Sequence, residues 1–192
     1  MNTPNKLTIL RIIMTPIFMV TLLVNFKFHY IVALLLFIVA SLTDLIDGKM
    51  ARKHNLVTDF GKFLDPLADK MLTTAAFLGF IALDIGVGSV WIAFIVLFRE
   101  FMISSMRLVA VSSGGKVIAA NIFGKLKTVS QMVAIIYTIT VEAFADLFPK
   151  LEALANIFRI GTSVLLWISA ILCIISGVIY MLDNKEFVDP SK

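Results

Sequence analysis

The stretch IVALLLFIVASLTDLIDGKMARKHNLVTDFGKFLDPLAD, residues 31–69, decides how this chain is read. It opens on an unbroken apolar run, Ile31–Ala40, without the every-second-residue alternation of a membrane barrel strand. A segment that crosses lipid must satisfy its backbone hydrogen bonds internally, and a helix does so. The run then turns polar and gathers four carboxylates, Asp44, Asp47, Asp65 and Asp69, in a chain otherwise poor in charge. Hydrocarbon on one side and concentrated acid on the other suggest a membrane helix that ends in a chemical site.

Composition extends this reading to all 192 residues. The chain is 59% apolar and 16% charged, with a mean hydropathy of +0.97. Soluble domains lie near 45–50% apolar and about 25% charged, so a soluble enzyme, a disordered chain and a nucleic-acid-binding domain are excluded. Apolar stretches run through Leu7–Phe26, Tyr30–Ile46, Pro66–Leu83, Val90–Val111, Val129–Leu147 and Ile157–Leu182. At roughly 20 residues per span they leave no room for a soluble domain. The expectation is an all-α integral membrane protein, six transmembrane helices in one bundle, with residues 1–192 as a single domain. The first stretch contains Arg11 and Pro16 and lacks a small-residue cleavage site, so it reads as a retained span. The single cysteine, Cys173, excludes an internal disulfide.

Basic residues set the expected direction. Thirteen Lys and Arg lie at the two chain ends or around the connections after the second and fourth spans. Lys27, Lys150 and Arg159 lie on the other side, and Arg99 falls inside a span. The positive-inside rule then places both termini and the aspartates on the cytoplasmic face of the cell membrane.

Asp44 and Asp47 are three residues apart, and Asp65 and Asp69 four apart, so each pair shares a helix face. Pro66 is expected near the start of its helix, where a missing N–H costs little. Two antiparallel helices joined by about 15 residues would then aim four carboxylates at one place, where they repel unless a cation neutralises them. All-oxygen donors favour hard ions, Mg²⁺ or Mn²⁺ first and Ca²⁺ second. Two such ions are suited to bridging a pyrophosphate. Gly48 and Ala51 allow a close approach, Gly61 suits a bend, and Arg52 suits a phosphate or a carboxylate. Asp59 reads as a helix cap, and His54 as a solvated loop residue.

The pattern D-x-x-D-G-x-x-A-R, eight residues, then G-x-x-x-D-x-x-x-D resembles the signature of the CDP-alcohol phosphotransferase family, without a departure. The resemblance implies transfer of a phosphatidyl group from a CDP-linked lipid to an alcohol, with release of CMP. It implies metal ligation by Asp44, Asp47 and Asp65, with Asp69 as general base and further metal contact. It also implies nucleotide-diphosphate contacts from Gly48, Ala51 and Arg52, with Asp47 and Gly61 among the residues that bind the donor.

Asn5, Thr8 and Arg11 repeat every three residues and form a polar stripe on the first span. The stripe suits either an amphipathic start at the interface or a wall of the substrate cleft, touching the liponucleotide through Asn5 and Thr8. Arg99 and Glu100 lie at a costly depth, as an ion pair with a neighbouring helix or as supports, with Arg11, for other residues. Arg107, Lys125 and Lys127 suit either positive-inside anchoring or a pocket for an anionic acceptor. The flanks NKLTILR, REFMISSMR and GKLKTVSQM resemble those of the bacterial phosphatidylglycerophosphate synthase branch of the family. That likeness implies CDP-diacylglycerol and sn-glycerol 3-phosphate as substrates, and a homodimer. A sister enzyme using another alcohol, such as a cardiolipin synthase, is the nearest alternative. A cation transporter is the remote one, since its acids belong along a mid-membrane path.

Overall fold

The computed structural model describes residues 3–54, 59–112 and 122–184; side chains at 3, 4, 45–54, 59–63, 65, 66, 69 and 110–112 lie outside that description. The described residues are all-helical: α1 Thr3–Leu23, α2 His29–His54, α3 Asp59–Ala82, α4 Ser89–Ser112, α5 Ile122–Leu147 and α6 Glu152–Asp183. A 3₁₀ turn, Pro149–Leu151, leads into α6. Tight connections fold successive helices back on each other. The ends carrying the motif therefore gather at one end of the bundle, and the α1–α2, α3–α4 and α5–α6 connections gather at the other.

Packing follows two seams. In one, α1 lies against α2 and α3; in the other, α6 lies against α5 and α4. Contacts of α2 with α5 and of α3 with α4 join the seams. Between them sit Phe18, Leu22, Phe37, Phe80, Ile92, Ile135 and Leu166, all fully or almost fully buried. The Phe18 and Phe37 rings meet at 5.6 Å between centroids.

The outer surface shows what solvent the helices are built for. Exposed side chains on α1 include Leu10, Ile13, Ile17 and Val20, and on α4 Trp91, Phe94, Phe98 and Phe101. Each set advances by alternate steps of three and four, so each is one continuous apolar face. Polar side chains point inward: Thr8, Thr15, Thr138, Thr162, Ser169 and Ser176 are buried. Several of these hydroxyls bond their own helix, as Thr15 Oγ1 does to the Arg11 carbonyl (2.9 Å) and Thr138 Oγ1 to that of Ala134 (2.7 Å). An apolar exterior around a polar-spotted interior is the arrangement of a membrane protein. Among the described residues Asn5–Leu23, Ile122–Leu147 and Pro149–Asp183 are long and apolar enough to cross a bilayer, with shorter apolar helices at His29–Asp44 and Lys70–Ala82.

The helices outrun the apolar stretches. α2 continues to His54, beyond Ile46, and α3 begins at Asp59, before Pro66. The aspartate motif thus lies on helical backbone almost throughout, instead of flanking a loop of about fifteen residues. Pro66 stands inside α3, not in its first turn. Membrane helices tolerate an internal proline where neighbours satisfy the freed carbonyl, and α1 carries another at Pro16. At the opposite end the α3–α4 turn is clamped to α6. Trp167 Nε1 donates to the Val87 carbonyl (2.9 Å), and Val87 N–H donates to Ser163 Oγ (3.1 Å). Gly86 in that turn has φ of 82°, and a Cβ there would lie 2.8 Å from Leu166 Cδ1. Both demands select glycine.

Candidate active site at the motif end of the bundle

The C-terminal turns of α2 carry Asp44, Asp47, Gly48, Ala51 and Arg52, and the N-terminal turns of α3 carry Gly61, Asp65 and Asp69. The two segments run antiparallel at one end of the bundle. The side chains of these residues, Asp44 excepted, and the cap expected of Asp59 lie outside the described ones.

Asp44 is half-buried, and its Oδ1 accepts from Arg11 Nη1 at 2.5 Å. Arg11 is 2% exposed, and Asn5 and Thr8, two turns and one turn earlier on the same stripe, are 6% and 1% exposed. The stripe therefore faces the bundle at the motif end, and Arg11 does not snorkel to the interface. A guanidinium on α1 orients the first aspartate of the motif.

Beside this wall a second polar cluster joins four helices. Glu100 of α4 is its centre: Lys127 Nζ of α5 donates to Glu100 Oε1, and Arg99 Nη1 reaches the same oxygen at 3.1 Å. Lys70 of α3 lies 3.8 Å from Glu100 Oε2, and its Nζ donates to the Glu100 carbonyl (3.0 Å) and to Ser104 Oγ. Arg99 Nη2 donates to Ser176 Oγ of α6 at 2.6 Å. Gly177 lets the arginine stem pass, since a Cβ there would meet Arg99 Cγ at 3.1 Å. Lys127 and Arg99 are each 8% exposed. Gln131, one turn below Lys127, is buried with its amide 3.9 Å from Cys173 Sγ.

Of the basic residues expected to hold an acceptor, Lys127 is thus buried in an ion cluster, while Arg107 and Lys125 are exposed. Lys70 is one of the thirteen basic residues whose placement sets the expected direction, and no pocket role is expected of it from the sequence. Its place directly after Asp69 was the available signal, but its partners are on another helix. Arg99 and Glu100 form an ion pair with each other and with neighbouring helices, as one of their two readings held.

Two clefts, of about 410 and 580 Å³, open at the opposite end, on either side of Glu142 and Arg159. Arg159 pairs with Glu142 through two hydrogen bonds, of 3.0 and 2.8 Å, and with Asn156 at 3.1 Å. Asp84, Glu142, Asp146 and Glu152 also line these clefts, so they repel an anionic substrate despite their size. Lysines, arginines and the aspartate motif gather at the other end.

A profile of the CDP-alcohol phosphatidyltransferase family matches residues 1–175. The chain belongs to that family. It is 35% identical to the CDP-diacylglycerol–glycerol-3-phosphate 3-phosphatidyltransferase of Bacillus subtilis strain 168, over 99% of this chain and 98% of that protein. The protein of the same name from Rickettsia bellii is 35% identical over 97% of each chain. That from Wigglesworthia glossinidia brevipalpis is 36% identical over 75% of this chain and 80% of its own.

For a phosphatidyltransferase of this family the donor set fits a hard divalent ion. Asp44, Asp47, Asp65 and Asp69 offer only carboxylate oxygens, spaced along two adjoining helices. Among the described residues no three acidic, histidine or cysteine side chains already form a metal-ligating group elsewhere.

Proposed function

We propose that the protein transfers the phosphatidyl group of CDP-diacylglycerol to sn-glycerol 3-phosphate, giving phosphatidylglycerophosphate and CMP. The observation that carries this reading is the complete aspartate motif on two helix ends, in a chain that matches similarly named phosphatidyltransferases almost from end to end.

The lipid donor lies with its acyl chains along the apolar faces and its pyrophosphate at the motif end. Asn5 and Thr8 on α1, with Gly48, Ala51, Arg52 and Gly61, line its polar part. The acceptor's phosphate is held by Lys127, with Arg107 and Lys125 at the exposed rim; a phosphate that meets two or more cations gains charge-assisted hydrogen bonds. Asp69 accepts the proton of the acceptor's 1-hydroxyl as its oxygen attacks the lipid-side phosphorus. The bond from that phosphorus to the CMP oxygen breaks, and CMP leaves as an anion. Arg11 keeps Asp44 oriented throughout. Asp44, Asp47, Asp65 and Asp69 are the residues to hold two divalent cations, Mg²⁺ first and Mn²⁺ as a substitute, whose chemistry is to neutralise the pyrophosphate and the leaving group. The motif end faces the cytoplasm, as the basic residues around it require, and the working unit is a homodimer.

The test is CMP release by purified protein given CDP-diacylglycerol and a panel of alcohols with Mg²⁺. Release that depends on glycerol 3-phosphate is expected. Release driven equally well by phosphatidylglycerol, or by no alcohol, contradicts the assignment of acceptor.

A further inference from the structure

We propose that Glu100 is the positioning residue for the acceptor's phosphate: its carboxylate, braced by Arg99, holds the Lys127 ammonium where that phosphate docks. The inference rests on the reading that Lys127 binds glycerol 3-phosphate, and it assigns the residue that makes this lysine selective.

A lysine is a poor recognition element by itself, because a four-carbon stem gives its charge many positions and fixing it costs entropy. Here that freedom is removed before any ligand arrives. Lys127 is 8% exposed, and its ammonium donates to Glu100 Oε1. Glu100 is fixed in turn, since Arg99 Nη1 holds the same oxygen at 3.1 Å. Arg99 is anchored on α6 through Ser176 Oγ at 2.6 Å, with its stem against Gly177. Lys70, which directly follows Asp69, donates to the Glu100 carbonyl at 3.0 Å. Glu100 therefore ties the acceptor lysine on α5, through its carboxylate, to the helix that bears the proposed base on α3, through its main-chain carbonyl and a 3.8 Å ion pair with Lys70. Among the described residues it is also the one carboxylate shared by two buried cations, Lys127 and Arg99. The lysine is held without its charge being cancelled, and an arriving phosphate finds a net positive wall.

Were Glu100 only a clamp between helices, its loss would lower stability and disturb both substrates alike. As a positioning residue it acts on one. Steady-state kinetics of the full-length protein in detergent, with thermal midpoints measured alongside, separate the two. Glu100→Gln is expected to raise the KM for glycerol 3-phosphate about tenfold, with kcat and the KM for CDP-diacylglycerol within about twofold of wild type. Glu100→Asp, which keeps the charge but withdraws it by one methylene, is expected to raise the same KM about threefold, and it serves if the glutamine variant does not fold. Lys127→Gln should match Glu100→Gln, and the double variant should be no worse than either single one. Results at Glu100 that overturn the proposal are an unchanged acceptor KM in folded variants, a parallel loss for both substrates, or full additivity in the double variant. If Lys127→Gln itself leaves the acceptor KM unchanged, the phosphate pocket is misplaced and the proposal falls with it. If that variant raises it while folded Glu100 variants do not, the pocket stands and this inference alone fails.

Discussion

At the scale of single residues, Arg11 and Asp44 show how the bundle prepares a charged group for work. The guanidinium is sealed inside and the carboxylate is about one-third exposed, so the pair anchors one oxygen while remaining at the edge of the site. Arg11→Met should cost about 2 kcal/mol in folding stability, below the 3–5 of a fully buried pair because Asp44 keeps some water. Thermal unfolding in detergent measures this, and an unchanged midpoint would show that the contact is not formed. His54 provides the contrast. The proposed proton transfer gives it nothing to move, so His54→Ala should keep more than about a tenth of wild-type CMP release. A complete loss there would reassign the base. The opposite end offers a control: Glu142→Gln breaks the pair with Arg159, whose side chain is 42% exposed, and should cost about 1 kcal/mol while turnover per folded molecule stays constant.

At the scale of elements, the α3–α4 turn is the most sharply specified connection. Gly86→Val adds a branched side chain at φ of 82° and against Leu166, and should lower stability by about 2 kcal/mol or more. A midpoint equal to wild type would mean that the turn relaxes freely. The existence of six helices was legible because each has an apolar stretch. Their ends were not, for a physical reason. The last turns of α2 and the first of α3 carry the aspartate motif, so they are polar, and hydropathy reads them as a loop although the backbone stays helical. Pro66 reinforced that error, because in water a proline belongs in a first turn, whereas inside a bundle neighbouring groups satisfy the carbonyl it frees. The candidate site divides in the same way. The aspartate pairs were legible from spacing along one helix. The meeting of Lys70, Glu100 and Lys127 was not, because periodicity gives the face of each helix but not which faces meet. The Asn5, Thr8 and Arg11 stripe stood between two readings, and periodicity alone does not say that it turns inward, as its burial shows.

At the scale of the whole molecule, the two ends of the bundle differ in charge as well as in fold. One end concentrates Lys70, Arg99, Arg107, Lys125 and Lys127 beside the aspartate motif, and the other concentrates Asp84, Glu142, Asp146 and Glu152 around a single arginine. On the proposed function, this asymmetry draws a phosphate-bearing acceptor and a pyrophosphate-bearing lipid to the first end and away from the second. The apolar faces of α1, α4 and α6 let the lipid donor reach that end from within the bilayer. The account therefore stands on one claim, that the transferase chemistry belongs to the aspartates where α2 meets α3. The most direct measurement is CMP release by Asp69→Asn, purified and shown to unfold at the wild-type temperature, in the presence of CDP-diacylglycerol, glycerol 3-phosphate and Mg²⁺. Loss of the general base predicts a fall of roughly 10²–10⁴-fold in kcat. Turnover within about tenfold of wild type would place the proton transfer on another residue and contradict the account.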